Sequence, residues 1–453
     1  MALAGPMKLR PLSRRALTLW LSLAGLALGT LALWMFPLTE RGQAIRTIED
    51  AGLEWRGEGI ESIEPREPSR WSWIPFGNEN RVYSYASLGP VIPAFRVLRP
   101  KKLFLSHVRQ LQNLDRLGQL DSLEEVEVHD APKLKNISGV HGLPILRYLG
   151  LECCQELHDL DSLKGQASIS ELSIFECASL QNVAGVGGMP ALESLDLIAC
   201  KGLQNLDGVG GARNLQGLKL SECDLLQNVD GLKGLSSLKA IGLSDCSALQ
   251  NVDGLHGLPA LSFLKLSGCS SLQDVDGLRD LPALESIELN CENLQNLEGL
   301  RDLPALTQLI LAGGHYELEP GILQRMAGSL EVLTIRGHLM KNLEALRGLN
   351  KLTCLQLEDC DALNNLDGLH GLPALRTLVI QGDPALLNTD AFTGLTDLTS
   401  VTLRDCEHLV SVDGLLGLTK LETLDLTAVG EVPPTSWPQL RAALPKTEIT
   451  ARY

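Results

Sequence analysis

Apolar residues along most of this chain recur on a fixed beat. From Leu103 onward, a pair of apolar residues flanking a variable one returns at Val126, Leu149, Leu172, Leu195, Leu218, Ile241, Leu264 and Ile287, each 23 residues after the last. The step becomes 22 at Leu309, 24 at Leu333 and 22 at Leu355, then recovers at Leu378, Val401 and Leu424. Alternation of this kind predicts a short strand whose two apolar side chains share one face. In one clean copy, Leu272, Val275, Leu278 and Leu281 then follow at intervals of three. That spacing suits a tight 3-10 or short helical return. A period of this length predicts a solenoid, in which about fifteen strands pair in parallel roughly 4.8 Å apart.

A lone coil would leave its apolar face in water, so stability has to come from stacking, and both ends need covers of different sequence. Residues 40–100 do not repeat: Ala44, Ile45, Ile48 and Ala51 fall at helical spacing, Gly52 to Trp55 reads as a short strand, and Trp55, Trp71 and Trp73 concentrate here. At the other end, Pro433 to Pro445 reads as a short amphipathic helix and Glu448 to Thr450 as a last strand. The organisation expected is an N-terminal cap over 40–100, the solenoid over 101–428 and a C-terminal cap over 429–453.

Ahead of the cap, residues 16–39 form a run of 24 without a charge, preceded by Lys8, Arg10, Arg14 and Arg15. About 20 apolar residues span a bilayer as a helix, and flanking basic residues favour the cytoplasmic side. The expectation is a single-pass signal anchor. Residues 1–15 would be cytoplasmic, 16–39 transmembrane and the repeats extracytoplasmic, periplasmic or extracellular. A cleaved signal peptide is the competitor, but no small-x-small site follows Trp34.

Charge narrows the choice of partner. The net charge is −16, and no acidic residue precedes Glu40, so the acid excess lies entirely beyond the apolar run. Nucleic acid binding rests on Lys and Arg that displace counterions, so no nucleic acid partner is expected. No GxSxG, HExxH, P-loop or dinucleotide-binding fingerprint occurs, and neither a cofactor nor enzymatic activity is expected.

The segment Leu261-x-x-Leu264-x-Leu266-x-x-Cys269-x-x-Leu272 resembles the conserved stretch of the leucine-rich repeat family, in the form that carries Cys and one extra residue. Val275-x-x-Leu278-x-x-Leu281 resembles the short convex segments of its SDS22-like and bacterial types. The resemblance covers about 100–450 and weakens between Leu309 and Leu333, where Gly313 to Pro320 replaces the usual return. It implies an α/β leucine-rich-repeat solenoid with parallel strands on the concave face, 3-10 turns and loops on the convex face, and non-repeat caps. For function it implies recognition of a protein or other ligand on the concave sheet.

Three ladders invite chemical readings. Cys154, Cys177, Cys200, Cys223, Cys246 and Cys269 are 23 apart, and Cys360 and Cys406 hold the same repeat position. Parallel side chains in a straight row do not converge on a disulfide or a tetrahedral zinc shell, so these read as buried structural thiols. Cys153 and Cys354 fall off the row. Asn182, Asn205, Asn228, Asn251 and Asn296 form a second ladder, and Asp207, Asp230, Asp253, Asp276, Asp367 and Asp413 a third. One carboxylate per coil does not assemble a calcium shell, so no metal is expected, and the Asp are read as turn caps, with the following Gly relaxing the backbone. His141, His256 and His370 share an exposed polar slot with Lys233, Arg279 and Arg301.

The functional surface is therefore expected on the concave positions, which run from Phe104 to Asp425 and include Gly150, Lys219, Gly242 and Lys265. One aromatic and acidic concentration stands out: Tyr148 and Phe175 beside Glu125, Glu127, Glu152 and Glu171. Aromatic side chains ringed by charge resemble binding hot spots. A second candidate is the irregular coil with His315, Tyr316, Arg336 and His338. The function expected is non-catalytic binding of a protein or surface ligand by a membrane-anchored chain. A structural envelope spacer is one alternative, and an enzyme with its site in 40–100 is another.

Overall fold

The computed structural model describes residues 40–50, 53–56, 59–62, 88, 90–314, 318, 320–337, 342–360, 363, 365–382, 386–430 and 432–452. The apolar run at 16–39, most of the Trp- and Pro-rich stretch, and His315, Tyr316 and His338 lie outside them. Among the described residues no helix is long and apolar enough to cross a membrane.

The described chain is a leucine-rich-repeat solenoid built on one sheet of 18 strands. Fifteen five-residue strands, from Lys102–Ser106 to Thr423–Thr427, follow the beat, and each pairs in parallel with its sequence neighbours. Leu264 sits between Ile241 and Ile287, and Leu266 between Leu243 and Leu289, so the repeat register is the pairing register. Leu264 and Leu266 are buried, while Phe263, Lys265 and Ser267 remain accessible on the other face. Short 3-10 turns such as Asp230–Leu232 and Asp253–Leu255 carry the return, with Leu232 and Leu255 closing the core.

Strand ends turn through one residue of left-handed backbone, at Cys153, Glu176, Glu222 and Asp245 (φ 53°, 52°, 53° and 55°). The residue after it enters the core. After the strand Ser286–Asn290 this residue is missing and Cys291 follows directly, which shortens that step to 22. The longer step to Leu333 has a different cause. A helix, α3 (Pro320–Gln324), replaces the 3-10 return, and Leu318, Ile322, Leu323 and Met326 bury into the core beside it.

At the N-terminal end, α1 (Glu40–Asp50) buries Ala44 and Ile48, as their helical spacing predicts. An antiparallel hairpin follows, Leu53–Arg56 with Gly59–Ser62, and its second strand extends the sheet onto Lys102–Ser106. The sequence pattern indicated the first of these strands only. It also gave no helix at α2 (Ile92–Leu98). Pro93 sits in the first turn, where its missing N–H costs no hydrogen bond, and Ile92, Phe95 and Leu98 seal the core behind it. At the far end, α4 (Ser436–Ala443) buries Leu440, and Glu448–Arg452 pairs with the last repeat strand.

The ladders on the return side correct two readings. The Asp side chains do not cap the turns. Instead, the Asp N–H donates to the side chain two residues earlier: Asp207 to Asn205 Oδ1 at 3.0 Å, Asp230 to Asn228 at 3.1 Å, and Asp367 to Asn365 at 3.3 Å. The Asn ladder is the cap, an Asx turn repeated coil after coil. Where the polar slot holds Lys233 or Arg279, the Asp carboxylate pairs with it across the turn, Lys233–Asp230 at 2.8 Å and Arg279–Asp276 at 3.6 Å. The following Gly supplies backbone freedom at Gly208, after Asp207, where φ is 89°, but not at Gly231, Gly254 and Gly277, which have no positive φ. The role of these three is close approach. A Cβ at Gly254 would lie 1.9 Å from the Val229 carbonyl oxygen of the preceding coil. Ser162, Ala345 and Ala391 occupy this position elsewhere, so individual coils open enough to admit a small side chain.

Candidate functional site

None of the eleven cysteines is held in a disulfide. Cys154, Cys177, Cys200, Cys223, Cys246, Cys269, Cys360 and Cys406 are buried, as the repeat predicts, and Cys291 joins the row although its shortened coil hid it from the period. Each thiol sits at the strand end, where Cys177 Sγ donates to the Phe175 carbonyl at 3.4 Å and Cys200 Sγ to that of Ile198 at 3.7 Å. Burial pushes the Cys200 thiol up to about 12, so it stays protonated and unreactive. Cys153 is half-buried, and burial together with its hydrogen bond to Glu176 Oε2 (3.2 Å) pushes it to about 12 as well. Among the described residues no cluster of His, Cys, Asp or Glu has the makings of a metal site.

The chemistry left to the molecule lies on the concave side of the strands. At the N-terminal end, Lys102 Nζ meets Glu125 Oε2 at 2.7 Å. One coil further, His129 lies between two carboxylates, with Nδ1 at 2.7 Å from Glu152 Oε2 and Nε2 at 3.3 Å from Glu127 Oε2. The Phe104 ring stands against it, centroids 4.8 Å apart and tilted by 56°. Tyr148 leans over Gly150, where a Cβ would come within 3.0 Å of its Oη and 3.3 Å of Glu127 Cγ. Burial raises the Tyr148 phenol above its usual range against the opposing effect of the Ser173 hydroxyl.

These contacts sort the expected site residues. Glu127 and Glu152 come together on His129, and Tyr148 shares the space over Gly150 with Glu127, with Glu125 and Glu171 beside Tyr148 in register. Phe175 stands beside Glu152 but does not reach Tyr148. It ends its strand while Tyr148 begins the neighbouring one, about 13 Å of strand away. It lies instead on the rim that holds His129, in register between Glu152 and Ile198. Phe104 and His129, absent from the expected cluster, hold its centre. The signal that finds them is the register, which places Phe104 beside Glu127 and His129 beside Glu152. Of the second candidate, only Arg336 is described, and its Nε pairs with Glu358 Oε2 at 2.8 Å.

Further along, the face changes character. Asp196 is half-buried and its carboxyl is raised by burial against the pull of Lys219. Beyond it lies a shallow depression of about 530 Å³, floored by Gly217, Ala240 and Gly242 and edged by Lys219, Phe263 and Lys265. Lys265 pairs with Glu288 at 2.9 Å, and Phe263 stands 41% exposed.

No protein-family model and no curated protein sequence matches this chain. Among solved structures it is similar to an internalin from Listeria monocytogenes, 19% identical over 68% of this chain and 88% of that one, with a TM-score of 0.41. It is likewise similar to a leucine-rich-repeat protein of Leptospira interrogans, 19% identical over 75% of this chain and 95% of that one, with a TM-score of 0.48. Against the Toll–Spatzle complex of Drosophila the identity is 16% and the TM-score 0.52, with 78% of this chain and 47% of that one covered. At such identities the likeness concerns the fold.

Proposed function

We propose that this leucine-rich-repeat solenoid is a non-catalytic recognition protein that binds a protein or surface ligand on its concave sheet. In this reading residues 16–39 anchor it in a membrane, with the basic residues before them inside and the repeats on the extracytoplasmic side. The observation that carries the binding role is the asymmetry of the strands. One face is occupied by Leu, Ile and Val throughout, while the other presents changing, accessible side chains. A surface freed from packing duty is where ligand contacts accumulate. The length and uncharged character of 16–39 support the anchor.

Photo-crosslinkers placed on the full chain in intact cells, at the concave Ser173 and at a convex polar-slot position such as Lys233, test this directly. The concave probe is expected to capture a saturable partner that the convex probe misses. Equal capture from both faces, or no saturable partner, contradicts the reading and favours a rigid envelope spacer.

A further inference from the structure

Basic side chains on the strands between Lys102 and Thr427 follow a rule. Lys102 pairs with Glu125, His129 with Glu152, Lys265 with Glu288, Arg336 with Glu358 and Arg404 with Asp425, each time on the next strand. Lys219 breaks it. Among the described residues no carboxylate lies within ion-pair distance of its ammonium, although Asp196 on the preceding strand attracts it from further away. At the register position where Lys102, Lys265 and Arg336 each find their carboxylate, Lys219 finds Gly242.

Folding does not require that glycine. Gly242 has no positive φ, and a Cβ built there meets nothing within 4 Å. Gly150, in the same column, makes room for Tyr148, whereas Gly242 makes room for no described side chain of its own chain. Glycine inside a strand weakens it and marks a place where something else approaches closely. The space belongs to the depression that Phe263 and Lys265 edge on the far side.

We propose that a bound protein supplies the missing carboxylate. An Asp or Glu side chain of the partner seats over Gly242 and pairs with Lys219, and an apolar side chain of the same segment covers Phe263. In an extended segment these two residues stand roughly two or three positions apart, from the strand spacing and rise. A polyanion such as nucleic acid is a poor occupant, because Asp196 and Glu288 flank the two lysines and the chain as a whole is acidic. A single carboxylate entering beside a phenyl ring meets no such opposition. The proposal rests on the reading of the concave face as the docking surface.

The probe is a random peptide library displayed on phage and selected against the full chain. Enriched peptides are expected to carry an Asp or Glu near an aromatic or aliphatic residue. Gly242→Glu should fill the gap from within, leave the thermal midpoint unchanged or higher, and weaken these peptides on the order of tenfold. Lys219→Glu should weaken them similarly, and Gly242→Ala should leave them nearly intact. No enrichment, enrichment without acidic residues, or indifference to Gly242→Glu and Lys219→Glu overturns the proposal. Peptides that are indifferent to those two substitutions but lost with Tyr148→Ala or Glu127→Lys would leave the concave face as the docking surface and remove only this site. Peptides indifferent to all four would remove both.

Discussion

Gly254 and Gly242 stand 12 residues apart in the same coil and answer to different demands. Gly254 lies on the return side, where the backbone of one coil presses on the next and the nearest obstacle to a Cβ is a carbonyl oxygen 1.9 Å away. Gly242 lies on the concave side with nothing in reach. The contrast extends to their surroundings. On the closed side, Leu, Asn, Asp, Gly and Cys columns repeat because each coil must offer the same shape to its neighbours. On the open side, residues differ from coil to coil and the ion pairs between strands are the main order. A repeat architecture thus separates what holds it up from what it displays.

The contrast breaks most sharply within one strand. Leu264→Ala should cost about 2–5 kcal/mol by emptying a packed site, while Lys265→Ala should stay within about 0.5 kcal/mol, read as denaturant midpoints. Equal losses would mean that the two faces share the structural load. A second comparison stays on the closed side. Gly277→Ala places a Cβ 2.3 Å from the Val252 carbonyl oxygen and should cost about 1–3 kcal/mol, unless the coil opens as it does around Ala391. Asn205→Ala removes the acceptor of the Asp207 N–H and should cost about 1 kcal/mol, whereas Asp207→Ala, whose carboxylate caps nothing, should cost less. If Asp207→Ala proves the worse of the pair, the assignment of the cap to Asn fails.

Much of the closed side was legible from spacing. Leu264 and its equivalents fix the strands, their register and the buried row of thiols, because a fixed period and a stacked fold leave a single way to pair. What escaped depended on which atom reaches which neighbour. Asn and Asp both have the right shape for a turn cap, and the distance from the Asp207 N–H to Asn205 decides between them. Cys291 was hidden by a coil one residue short. Helix α2 was not read either, and its Pro93, a residue that breaks a helix interior, suits the first turn it occupies. On the open side, Tyr148 and the acidic residues around it were visible as composition, but their centre at Phe104 and His129 and the separation of Phe175 were not. Lys219 and Gly242 were visible as concave positions. Their meaning emerges only once the other cations have found their carboxylates, because a gap is recognisable only against the pattern that surrounds it.

The central claim is that the two glycines are kept for different reasons, one for stacking and one for an approaching partner. Paired equilibrium unfolding of Gly254→Ala and Gly242→Ala tests it most directly. Gly254→Ala is expected to lose about 1–3 kcal/mol, and Gly242→Ala to hold steady or gain about 0.5–1 kcal/mol from reduced freedom of the unfolded chain. A loss at Gly242 as large as that at Gly254 would show that the open face is built for folding after all, and would contradict the account.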